Sequence, residues 1–237
     1  TIDADGDIDA VSVESGSGAM TLASGGDVTA VSVEAQNGPV TISAAGAVEA
    51  TRVVSATDAD ANDIAITGAT IAAGVIDAKT AGDVTLRATA GAITDLVGKI
   101  TADQVTATSV GAMTLDTTAA EILQARAGGS LTITETDAVI LTDVATAAAG
   151  AILVTAGGGV TAARVAAVDG AIVLDASGDV TATDVRTTIG AVTIDADGDI
   201  DAVSVESGSG AITLASGGDV TADRKSTRLN SSHVSQS

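Results

Sequence analysis

The 237 residues contain no cysteine, phenylalanine, tyrosine or tryptophan, and only one proline, Pro39. Without cysteine there is no disulfide and no thiolate metal site, and the redox compartment stays open. Without aromatic rings a thick interior cannot be filled, so any core is thin and built from Val, Ile, Leu and Ala in close layers, which favours a solenoid. Basic residues are scarce: 10 Lys and Arg stand against 31 Asp and Glu, a formal charge of -21. Nucleic acid and anionic lipid are therefore not expected as partners, because phosphate binding needs clustered Lys and Arg; cations suit the chain better. Long hydrophobic runs are missing too. The apolar runs are a few residues long, against the roughly 20 that cross a bilayer, so membrane insertion is not expected, and Thr1 opens no charged-then-apolar leader.

What the chain does have is repetition. Residues 1–30 recur at 193–222 with one change, Met20 to Ile212. Between these copies the sequence divides into units beginning at Thr1, Thr21, Thr41, Ala65, Thr85, Thr114, Thr132, Leu153, Val173, Thr193 and Thr213, most of them twenty residues long. Self-similarity at this period marks stacked supersecondary units. Within a unit the alternation has period two, the strand period. The second position is always a branched aliphatic, from Ile2, Leu22 and Ile42 to Leu174, Ile194 and Leu214; the eighth and tenth pair Val180 with Ala182 and Ile200 with Ala202. Three short strands per unit follow, with turns at the Gly-Asp step (Gly26-Asp27, Gly198-Asp199) and at the glycine before the last strand (Gly38, Gly190). Glycine and Asp are expected there for the backbone conformations of sharp corners.

The expected fold is thus all-β: a right-handed parallel β-helix (β-solenoid) of about 20 residues per rung and about 11 rungs, the hand following the general preference of parallel crossovers. No single rung buries enough to fold alone, so stability comes from neighbour on neighbour.

Residues 223–233 read DRKSTRLNSSH and resemble a translated sequencing adapter. They hold Arg224, Lys225, Arg228 and the only histidine, His233. The expected organisation is a solenoid domain over 1–222, a fragment truncated at both ends, followed by a non-native, disordered tail over 223–237.

The units TIDADGDIDA, TLASGGDVTA and VLDASGDVTA, each followed by a Val-centred strand and a Gly-Ala-(Val/Ile/Met)-Thr return, resemble the repeats of filamentous-haemagglutinin-like exoproteins and autotransporter adhesins. The resemblance covers 1–222. It implies a structural or adhesive rod of a large bacterial repeat protein, secreted or displayed on the outer cell surface, presenting loops to a cell-surface protein or glycan. Unpaired strand edges at the rod's ends would also favour end-to-end self-association.

Four features are candidates for chemistry. The segment 55–63 is about four residues longer than the standard turn and carries Asp58, Asp60, Asn62 and Asp63, with the Asp-x-Asp-x-Asn spacing of calcium loops. Against this, Asp63 stands where such loops have Gly, and a solvated acidic loop is the plainer reading. An alternative role is accordingly a calcium-stiffened stalk. Asp179, Asp199 and Asp219 share one slot in successive rungs, where stacked like charges call for water or divalent cations. Asp3, Asp5, Asp7 and Asp9, alternating with Ile2, Ala4, Ile8 and Ala10, read as a polar outer face. Residues 89–99 read as an insertion of about eight residues, which with 55–63 is where partner contacts are expected. Threonine rows led by Thr1, Thr21 and Thr41 raise ice binding, but Ala65, Leu153 and Val173 interrupt them. Enzyme activity is not expected: before residue 223 there is neither His nor Cys, and only carboxylate pairs such as those of a polysaccharide-acting β-helix remain.

Overall fold

The computed structural model describes residues 1–222. The tail reading at 223–237 lies outside the described residues. Every described element is a β-strand, and the strands pair in parallel, each coil on the next. This is a parallel β-solenoid of about 11 turns, each of roughly 20 residues. The described residues divide into two compact units, Thr1–Ala120 and 121–222.

In the first unit, one side of the coil is formed by strands such as Met20–Ser24 and Val40–Ala44. A second side carries Ile8–Ala10 and Val28–Ala30, and a third Val13–Ser15 and Val33–Ala35. Ile2 pairs with Leu22 and Leu22 with Ile42, so the aliphatic column is real. Val40, Ile42 and Ala44 are buried while Thr41 and Ser43 are exposed, the alternation that a strand with one dry face imposes. The second unit repeats this with Ile172–Ala176, Val180–Ala182 and Val185–Ile189 on its three sides. Val154, Leu174 and Ile194 stack there at 0% exposure.

The third side admits hydroxyls to the interior. Ser55 is buried and its Oγ donates to the Gly38 carbonyl at 3.0 Å. In the second unit Thr187 Oγ1 donates to Gly170 O at 2.8 Å and Ser207 Oγ to Gly190 O at 2.7 Å. Each bond ties the end of one strand to the corner of the coil before it, so a polar side chain facing inward is satisfied rather than stranded. Among the described residues no buried side-chain nitrogen or oxygen lacks a partner.

Register corrects one sequence reading. The insertion at 89–99 is much shorter than the eight residues read: Ile93 pairs with Ile71, a step of 22, and Ile100 with Ile76, a step of 24, so the extra residues form a small bulge between Asp95 and Ile100 with Val97 exposed at positive φ. The coil that follows Thr85 starts at Thr106, because Val84 and Leu86 lie under Val105 and Ala107. Met113 belongs to the next side, over Ile93. A small alanine fills the column at position 107, where an aliphatic is otherwise the rule, and the more hydrophobic Met113-Thr114-Leu115 imitated the missing motif.

Candidate functional site

The longer corner at 55–63 is present: Val40 pairs with Ile64, a step of 24 residues where its neighbours step 20. It places Asp58, Asp60, Asn62 and Asp63 together in the first unit, but Asp58, Asn62 and Asp63 each give polar atoms to hydrogen bonds with neighbouring coils. Asn62 is 2% exposed, and its amide donates to Thr57 O at 2.9 Å and to Asn37 Oδ1 at 3.2 Å. Asp58 Oδ1 accepts from the backbone N–H of Thr80 and Ala81 at 3.0 and 2.9 Å, and its Oδ2 from the Thr80 hydroxyl at 2.9 Å. Asp63 Oδ1 accepts from Asp83 N at 3.0 Å, and Asp60 is exposed. The corner thus caps the turn of the coil above it.

Sequence reasoning overlooked Asp83 and Asp103 beside this corner. Burial raises the Asp83 carboxyl above its ordinary value, and the nearby charges of Asp63, Asp103 and Asp60 push the same way; a hydrogen bond from Gln104 N opposes them. The signal was available in the Gly82-Asp83 step, twenty residues after Asn62-Asp63. Among the described residues no group of three or more His, Cys, Asp or Glu stands in an arrangement that could hold a metal ion.

The same device runs through both units. Asp7 Oδ1 accepts from Asp27 N at 2.9 Å, and Asp27 Oδ1 from Ala47 N at 2.7 Å. In the second unit Asp179 accepts from Asp199 N at 2.9 Å and Asp199 from Asp219 N at 2.8 Å. Each aspartate is an acceptor for the backbone of the next coil, and the charge of a stacked carboxylate is held by that donor. The glycine before it has a different duty from the one its sequence suggests. A Cβ on Gly26, Gly198 or Gly218 would stand 2.1, 2.0 or 2.1 Å from the Asp Oδ1 of the preceding coil. Positive φ occurs instead at the other corner, as at Gly38 (137°) and Gly190 (128°).

The second unit carries a groove of about 550 Å³ on its third side. Outward-facing Ala145, Ala166, Arg186 and Glu206 run in register across it. The two alanines leave a hollow; Arg164 and Val168 line it as well, Val168 half exposed. Its cations are tethered: Arg186 pairs with Asp184 at 2.9 Å, and Asp143 accepts from Arg164 and Arg126, the latter through Nε at 2.8 Å. Burial alone would raise the Asp143 carboxyl, but hydrogen bonds and charge from the two guanidinium groups outweigh it and hold it below the ordinary range. These three arginines are the only basic residues in 121–222; Arg126 and Arg186 share one slot, separated in the column by Ala145 and Ala166, and Arg164 stands in another, which is why the period hid them.

Comparison with protein-family models, with curated proteins and with solved structures found no match. The class of protein rests on the fold itself: a parallel β-solenoid built of repeats.

Proposed function

We propose that the chain is a segment of a structural or adhesive rod, part of a large bacterial repeat protein that is secreted or displayed at the outer cell surface, where it meets a cell-surface protein or glycan. The observation that carries this reading is the use made of the polar groups. Asp7, Asp63, Asp179, Thr187 and Ser216, residues of the kinds from which a site would be built, are engaged in coil-to-coil hydrogen bonds. That is how a load-bearing stack is organised. It also supports a non-enzymatic role, since in the acidic face of Asp3, Asp5, Asp7 and Asp9 one oxygen of Asp7 is committed to Asp27 N. The corner at 55–63 and the groove around Ala166 are the irregular surfaces available for contact.

Beads coated with the protein test the proposal. They are expected to adhere to bacterial or epithelial cells more than beads carrying an unrelated protein of equal negative charge, and to leave polyuronides uncleaved. Equal adherence of the two bead types, or turnover of a polyuronide, overturns it. The calcium-stiffened form has its own test in calorimetry with Ca²⁺ and with chelator, where superimposable scans remove it.

A further inference from the structure

We infer that residues 1–192 are one period of a translational module, and that the coil face ending at Val192 is built to receive residues 1–30 of a second copy in fixed register. Residues 193–222 differ from 1–30 only at Ile212, which replaces Met20, and both side chains are buried. Every contact such a junction needs is already present. The face offered to the incoming copy is seen in the second unit, where Val173, Leu174 and Asp175 pair with Thr193, Ile194 and Asp195. On the second side Val180 pairs with Ile200, and on the third Arg186 pairs with Glu206. The continuation is seen in the first unit, where Ile2, Ile8 and Val13 pair with Leu22, Val28 and Val33. The Asp ladder crosses the same boundary, Asp179 Oδ1 accepting from Asp199 N, the counterpart of Asp7 N.

The groove sharpens the inference. Glu206, Ser207, Gly208 and Ile212 line one end of it, and these are the counterparts of Glu14, Ser15, Gly16 and Met20. Its other end is built from residues 145–188. The groove is therefore a junction feature: one period supplies Arg164, Ala166 and Arg186, and the next supplies Glu14 and Ser15. Each added period therefore adds one groove. A rod of such modules would present the same surface many times, the arrangement from which avidity arises.

The test is a chain in which residues 1–192 are placed directly ahead of the complete sequence, so that Val192 is followed by Thr1. Its control ends the first copy ten residues earlier, half a coil out of register. The in-register chain is expected to resist limited proteolysis at the join and to unfold with a denaturant dependence steeper than that of the original protein, while the control is cut at the join. Cleavage of both at the join, into pieces of one period, overturns the inference. If the long chain does not fold, Ile212→Met in the original protein decides: an unchanged unfolding midpoint supports the interchange of the two copies, and a midpoint lowered as far as by Ile212→Ala overturns it.

Discussion

At the Gly-Asp corner the two residues divide one task. Asp179 reaches over its coil to accept from Asp199 N, and Gly198 leaves the space through which that carboxylate passes. Gly198→Ala is therefore expected to destabilise the second unit by about 1–3 kcal/mol through a steric clash. In an Asp179→Ala background most of that cost should disappear, and a double-mutant cycle by chemical denaturation measures the coupling. Equal costs in both backgrounds would place the strain elsewhere. Asp199→Ala should lose about 1 kcal/mol with the bond to Asp219 N, whereas Asp199→Asn keeps an acceptor and should lose less. Asp143 gives a pH signature. Its carboxyl is held below the ordinary value near 4 by Arg126 and Arg164, so the unfolded chain binds that proton more readily. Its contribution is present above about pH 4 and is lost as pH falls through the depressed value; in Asp143→Asn the acid side of the stability profile should be flatter.

A strand of three to five residues is too short to hold its shape alone, so each element depends on its neighbours above and below. Leu174 is fully buried between Val154 and Ile194, and Leu174→Ala should cost about 2–5 kcal/mol in lost burial and residual cavity. Val180, buried between Val160 and Ile200, is the harsher test: Val180→Asp puts an unpaired carboxylate on the dry side and should exceed that cost. Hydrogen exchange should show protection falling in adjoining strands too, because a coil that opens exposes both its faces; loss confined to Val180–Ala182 would contradict a stacked-repeat account. Elements were legible where every slot carried its usual residue, as from Leu153 to Ala222. They were misread between Thr85 and Met113, where Ala107 occupies a slot that other coils fill with Leu, Ile or Val.

For the whole molecule, stability in each unit accumulates from coil-on-coil contact, and no thick core stands behind it. Because pairing is coil on coil, the four extra residues at 55–63 are absorbed at a corner without loss of the column: Ile42 still lies under Ile66. Trimming that corner to the length of its neighbours should preserve the fold while removing the cap that Asp58 places on Thr80 and Ala81. A melting temperature lowered by a few degrees, with the far-ultraviolet dichroism per residue unchanged, is the expected result.

The amino-acid sequence by itself determined the period, the inward columns and the class of fold, because a two-residue alternation repeated every twenty residues leaves a thin aliphatic stack as the way to hide its apolar half. Only the tertiary structure decided what the polar half does. Spacing along the chain shows that Asp179, Asp199 and Asp219 coincide, and suggests repulsion; the direction of each carboxylate, toward the amide of the next coil, exists only once the coils are stacked. The groove has the same origin, since Ala145, Ala166, Arg186 and Glu206 become neighbours through strand register and through nothing local in the chain.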